Sequence, residues 1–271
     1  LGLAGCSGSK TSEPAGSDAG SVKSSSKKKA VELQVFAANS LEKALPEVQE
    51  LYTEQTGTTF ADTQFKASGD LVEQMRAGAA VDVLITASKG TMDDAEAAEL
   101  VDADTREDMF VNDLVIIRAE GSDTKVEAIA DVANLDGKIA IGDAKTVPAG
   151  KYANQALASV GLYTGTEGDD GEYAPELADK VALADKVGTA ASYVSTGDCV
   201  AGFVYSSDIF RYDGIEEAFV CPEDSHKPIV YPGAVAESSE HADEAKAFID
   251  FCLTNKKAQK IWGKYGFELS E

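Results

Sequence analysis

The sequence is poor in the residues that most catalytic and metal sites need. It has two histidines, His226 and His241, and four scattered cysteines, Cys6, Cys199, Cys221 and Cys252. That argues against a His/Cys metal site and leaves little for a histidine general base. Basic residues are also scarce: 24 Lys and Arg face 47 Asp and Glu, a formal charge of −23. A nucleic-acid binder needs the opposite balance, so that class is excluded. No apolar run approaches the roughly 18 residues of a membrane helix, so no segment reads as spanning a bilayer. Gly-x-Ser-x-Gly and the phosphate-binding Gly-x-x-x-x-Gly-Lys-Ser/Thr are both absent. Ser40-Leu-Glu-Lys43 matches Ser-x-x-Lys, but its companion Lys-Thr-Gly is missing, and the nearest string is Lys145-Thr146-Val147. The chain therefore reads as a binding protein and not an enzyme. With 271 residues, 44% of them apolar, it is long enough to bury a substantial core.

The first thirty residues differ from the rest. Leu1-Gly2-Leu3-Ala4-Gly5-Cys6 resembles the lipobox of a bacterial lipoprotein, in which Cys6 becomes the lipid-carrying residue after cleavage. The charged start and most of the apolar core of such a signal are expected to precede Leu1. From Ser7 to Ala30 there are eight Ser, five Lys and three Gly, with Val22 the single large apolar side chain. Such a stretch cannot offset its ordering entropy by burial, and as a flexible coil it spans roughly 27 Å, suiting a tether. These thirty residues hold five Lys against Glu13 and Asp18, so the body beyond them holds 19 basic and 45 acidic residues.

In the body, strand and helix patterns alternate. Strands are expected at 32–36, 58–62, 81–86, 138–141, Ala201–Tyr205 and 218–221. Helices are expected after Asn39 and Ser40, at 71–77 with Ser68 and Asp70 as candidate caps, and at 92–100, 148–160, Val187–Ser195, 245–253 and 258–265. Pro46 lies within the first helical pattern, so that helix either kinks or restarts there. Two extended stretches, 109–118 and Ile229–Val235, flank an inner block of small-domain size. The expectation is an α/β protein of two lobes with parallel-rich sheets and flanking helices, the inner lobe (114–232) inserted into the outer (31–113 and 233–271). The ligand cleft then lies between the lobes, at strand carboxyl ends and helix N-termini. If 201–205 and 218–221 are neighbouring parallel strands, Cys199 and Cys221 stand about 15 Å apart, beyond the ~7 Å limit for a disulfide. Cys252 lies on an apolar helix face and reads as core.

Five segments in order carry a family resemblance: Val35-Phe-Ala-Ala-Asn-Ser-Leu41, Phe65-Lys-Ala-Ser-Gly-Asp-Leu71, Gly142-Asp-Ala-Lys-Thr-Val-Pro-Ala-Gly-Lys-Tyr-Ala153, Gly202-Phe-Val-Tyr-Ser-Ser-Asp208 and Pro222-Glu-Asp-Ser-His-Lys227. With the ending Lys264-Tyr-Gly-Phe267, this set resembles the substrate-binding proteins of bacterial molybdate ABC transporters. The resemblance implies a periplasmic-binding-protein fold of type II. It implies a molybdate or tungstate oxyanion as ligand, no cofactor and no cation ligands. It also implies an ABC permease as partner, a monomer, and an extracytoplasmic position anchored through Cys6. Carried over by motif, Ser40 and Ser68 each give a hydroxyl and a backbone N–H, Ala149 and Val187 give backbone N–H groups, and Tyr205 gives its phenol. Lys66 and Asp70 flank Ser68: the first assists an anion, and the second opposes one unless it caps its helix and points away. Sulfate is the alternative within the same class, and a tethered sensor or an α/β enzyme on an oxyanion substrate is the alternative outside it.

Overall fold

The structure, a computed structural model, describes residues 31–270. Cys6 and the Ser- and Lys-rich segment lie outside them. Two sheets organise the chain. The six-stranded sheet has the spatial order Glu268–Leu269, Glu107–Asn112, Ile229–Val235, Val83–Ile85, Val35–Ala38, Gln64–Lys66. The five-stranded sheet runs Ile215–Val220, Leu114–Ala119, Ala201–Tyr205, Ile139–Gly142, Val181–Ala184. A short parallel ladder joins Glu32–Leu33 to Thr59–Phe60.

Each sheet contains a parallel trio. In the first, Val35–Ala38 pairs in parallel with Gln64–Lys66 and Val83–Ile85. In the second, Ile139–Gly142 pairs in parallel with Val181–Ala184 and Ala201–Tyr205. The remaining partners are antiparallel and include the strands on either side of the crossings between sheets. The 109–118 stretch is two strands in two sheets, because Asn112 and Asp113 break it. The Asn112 side-chain oxygen accepts the Asp113 N–H at 3.0 Å, diverting that group from any ladder.

Helices cover the sheets through apolar stripes. Ala44–Thr56 buries Leu45, Val48 and Tyr52, three and four residues apart. Its Tyr52 ring meets Phe248 of Ala242–Thr254 edge-on at 5.1 Å. Trp262 of Lys256–Lys264 is fully buried against Phe110, with ring centroids 4.3 Å apart. Each such large side chain contributes about 1.5–3 kcal/mol through burial. Pro46 is the third residue of Ala44–Thr56. It sits in the first turn, where the helix leaves N–H groups unpaired; the pattern restarts as expected, with Asn39–Leu41 a separate short turn, but the helix begins two residues before the proline.

Several expectations need correction. Asn39 and Ser40 cap no helix; Asn39–Leu41 forms a separate 3-10 turn. Neither Ser68 nor Asp70 caps Ser68–Arg76, whose cap position is Ala67. Gln64–Lys66 and Val181–Ala184 are strands that no apolar run announced. They are the outermost strands of their parallel trios and are partly exposed, with Leu183 54% accessible. The expected adjacency of 201–205 and 218–221 does not occur, because Leu114–Ala119 lies between them and is antiparallel to both. Cys199, Cys221 and Cys252 are each buried and free.

Candidate functional site

The six strands of the two parallel trios deliver their carboxyl ends to one place. Ala38, Lys66 and Ile85 end the first trio; Gly142, Ala184 and Tyr205 end the second. The residues that follow these ends line a cavity of about 450 Å3. Ser40, Ser68, Ala149, Val187 and Tyr205, predicted from sequence as ligand residues, all lie in its wall. Residues 31–113 contribute the two serines, and residues 114–232 the other three.

Helix N-termini supply the cavity's polarity. Ser68–Arg76, Pro148–Ser159 and Val187–Ser195 begin here, as does the Asn39–Leu41 turn. The residues at their cap positions are Ala67, Val147, Lys186 and Ala38, and none makes a side-chain capping bond. The first N–H groups of these elements have no intrahelical acceptor and carry a partial positive charge. A further helix, Lys89–Ala97, also begins at the cavity and is capped there, with Ser88 accepting the Thr91 N–H at 3.2 Å. At the other four starts no capping side chain stands between the first N–H groups and the cavity. Pro148–Ser159 also comes down hard on its strand: a Cβ on Gly150 would collide with the Gly142 carbonyl. This close approach seats Ala149, which is 1% exposed.

The hydroxyls are equally specific. Ser68 Oγ accepts the Ala87 N–H at 2.9 Å, leaving its own hydrogen to donate. The Ser40 hydroxyl bonds to the Tyr231 phenol at 2.9 Å. Tyr205 ends its strand with the ring buried, and its hydroxyl is the single buried side-chain polar atom among the described residues that has no hydrogen-bond partner. Burial pushes this phenol well above its ordinary pKa, with Tyr231, Tyr152 and Asp208 adding to the effect, so it keeps its hydrogen at neutral pH. A buried unpaired donor of this kind calls for an acceptor.

Charge of both signs is present. Arg211 also lines the cavity, and sequence reading missed it. Its guanidinium bonds to Asp208 at 2.7 Å and Glu42 at 3.1 Å, and lies over the Tyr212 ring at 4.9 Å. The Asp208/Arg211 spacing of three residues was the available signal. Lys66, Lys186, Asp70 and Asp185 complete the charged lining. Asp185 accepts the Thr189 hydroxyl at 2.6 Å. Asp70 lies in the wall and does not cap its helix. Asn112 and Tyr231, which support Ser40 from behind, were also missed, since pairs 119 and 191 residues apart leave no local signal.

A larger cavity, about 590 Å3, opens at the other ends of the first trio. Glu32, Asp82, Glu99, Glu237 and Glu240 line it. Volume favours it, but carboxylates without converging donors repel anions, so chemistry favours the smaller cavity.

Comparison with known proteins places this geometry. Residues 33–268 match the family described as bacterial extracellular solute-binding protein. The molybdate-binding protein ModA of Escherichia coli K12 is 33% identical over 242 residues, covering 88% of this chain and 89% of that protein. The putative ABC transporter substrate-binding lipoprotein YvgL of Bacillus subtilis 168 is 30% identical, covering 90% of this chain and 89% of its own. Among solved structures, the substrate-binding domain of a putative molybdenum ABC transporter from Clostridium difficile superposes with a TM-score of 0.75. It is 33% identical and covers 89% of this chain and all of that one. This chain is therefore a member of the bacterial extracellular solute-binding protein family.

Proposed function

We propose that the chain is an extracytoplasmic binding protein that captures molybdate, with tungstate as an ion of the same shape and charge, and delivers it to an ABC permease. The phenol of Tyr205 carries this reading: it is buried, holds its hydrogen and has no protein partner, in a cavity whose other walls present free N–H groups. A site built from neutral donors suits a dianion with four acceptor oxygens. Relatives named for molybdate supply the identity of the ion. Ser40 and Ser68 grip it from one side. Ala149, Val187 and Tyr205 grip it from the other.

The two sheets are the frames of two lobes, 31–113 with 233–271 and 114–232, which close on the ion. No bond is made or broken. Each hydrogen bond to a charged acceptor contributes about 1.5–3 kcal/mol, so five or more supply sub-micromolar affinity after association costs of several kcal/mol. Closure buries the ion and presents one lobe arrangement to the permease. The protein acts as a monomer held at the membrane through a lipid on Cys6.

Calorimetric titration of the ligand-stripped protein tests the reading. Tight one-to-one binding of molybdate and tungstate, with sulfate and phosphate silent, is the expected result. Tight sulfate binding would keep the class and change the ligand. Silence for all four ions from a folded protein would refute the proposal.

A further inference from the structure

Ser40 has a support that no ligand contact explains. Behind its hydroxyl lies Tyr231, fully buried, with its ring edge-on to Phe267 at 5.4 Å. Behind Tyr231 lies Asn112, at the crossing between the sheets. The orientation of the Asn112 amide is fixed by what surrounds it. Its oxygen accepts the Asp113 backbone N–H at 3.0 Å and the Ser206 hydroxyl at 2.7 Å. Its nitrogen must then face Ser207 Oγ at 2.8 Å and the Tyr231 oxygen at 3.2 Å. An amide N–H only donates, so Tyr231 is an acceptor toward Asn112.

The bond between Ser40 and Tyr231 joins two hydroxyls, and in this structure its geometry has Ser40 donating. With Ser40 donating, Tyr231 accepts twice, and its own hydrogen has no acceptor among the described residues. Reversal of that bond when an anion enters, with the Tyr231 hydrogen turned toward Ser40, satisfies every group. Asn112 donates to Tyr231, Tyr231 donates to Ser40, and Ser40 donates into the cavity. We propose, on the reading of the cavity as an anion site, that Tyr231 held by Asn112 is the positioning residue that fixes Ser40 as a hydrogen donor to the bound oxyanion. Each donor in such a chain polarises the next, so the last bond, to a charged acceptor, gains most. Burial pushes the Tyr231 phenol well above its ordinary pKa, so the chain keeps its hydrogen throughout the neutral range.

A double-mutant cycle tests this, using molybdate calorimetry on wild type, Ser40→Ala, Tyr231→Phe and the pair. Tyr231→Phe keeps the ring against Phe267 and leaves Asn112 its bond to Ser207, and a thermal melt checks that it folds. The expected loss of affinity is about tenfold or more for each single variant. The double variant should bind no more than about threefold weaker than the worse single, because Tyr231 acts through Ser40. Losses that multiply in the double variant would mean a packing role, and Tyr231→Phe binding within twofold of wild type would mean no role; either overturns the proposal. Asn112→Asp is a second probe that does not depend on Tyr231→Phe folding. It keeps the shape but accepts the Tyr231 hydrogen, turning the chain away from the ligand. Its cost should be larger in wild type than in the Ser40→Ala background, where only its added charge acts, and equal costs would overturn the proposal. Wild type silent toward molybdate, tungstate, sulfate and phosphate would instead refute the anion-site reading itself, and this inference with it.

Discussion

Tyr205→Phe should move stability and affinity in opposite directions. The Tyr205 hydroxyl is buried and unpaired within the protein. A buried polar group without a partner costs about 1–3 kcal/mol. The lower end applies here, since the group borders a cavity, so its removal should stabilise the ligand-free protein by about 1 kcal/mol. For a chain of this size that raises Tm by about 2–4 °C. The ring itself remains, tilted against Tyr152 at 6.3 Å. With ligand present the sign reverses. A donor to a charged oxygen is lost, at about 1.5–3 kcal/mol, or roughly ten- to a hundredfold in Kd. Thermal melts with and without saturating molybdate read both effects: the ligand-free curve shifts up while the ligand-induced shift shrinks. The pH dependence follows from the same phenol. Its folded pKa is raised above the ordinary value near 10, so it makes stability independent of pH below about 10 and lowers it as pH rises further, where the unfolded chain ionises first. Binding should therefore be flat from pH 6 to about 9 in wild type. A lower ligand-free Tm for Tyr205→Phe would show that the hydroxyl supports the fold, and unchanged affinity would show that it does not face the ligand. Either result refutes the reasoning.

Other consequences concern the walls of the cavity. Asp70→Asn removes a carboxylate from the first turn of Ser68–Arg76, and affinity should rise about two- to fivefold by calorimetry, at a loss of about 0.3–1 kcal/mol in stability from the helix dipole. Gly150→Ala forces the start of Pro148–Ser159 off the Gly142 carbonyl; it should destabilise the protein by about 1–3 kcal/mol and weaken molybdate binding at least tenfold, read by melting and titration together. Because residues 31–271 carry 45 acidic against 19 basic groups, the overall field slows an approaching dianion; stopped-flow kon should rise with ionic strength, and a falling kon would show that local charge steers the ion instead.

Much of this was readable in the sequence wherever a local pattern decides. Val187–Ser195, Ala201–Tyr205 and Ile229–Val235 have the ends that periodicity and turn residues give them. The five ligand candidates were carried over by motif from the family resemblance, and the structure brings all five to one cavity. What stayed hidden was decided at a distance. Gln64–Lys66 and Val181–Ala184 are held by ladder bonds to a buried neighbour more than by their own apolar content. Ser40 and Ser68 look like caps in one dimension, since Ser near a helix start usually caps it. Their oxygens are instead engaged by Tyr231 and by the Ala87 N–H, partners that only the sheet order brings near.

The acidic body and the anion cavity are reconciled by the range over which each field acts. Screening at physiological salt reduces the surface carboxylates to near nothing beyond about 8–10 Å. Within that distance the cavity holds Arg211 already matched to Asp208 and Glu42, and Lys66 and Lys186 share the wall with Asp70 and Asp185. On the proposed reading affinity rests largely on dipoles: uncapped N-termini behind Ala67, Val147 and Lys186, and the hydroxyls of Ser40, Ser68 and Tyr205 in the wall. Such donors are fixed by the backbone and by buried neighbours, so they need little reorganisation when the ion arrives. A site made from full positive charges would hold the anion more strongly but would repel itself when empty. What distinguishes the cavity is therefore convergence: four elements without a capping side chain begin at one place, beside a buried Tyr205 hydroxyl that has no partner among the described residues.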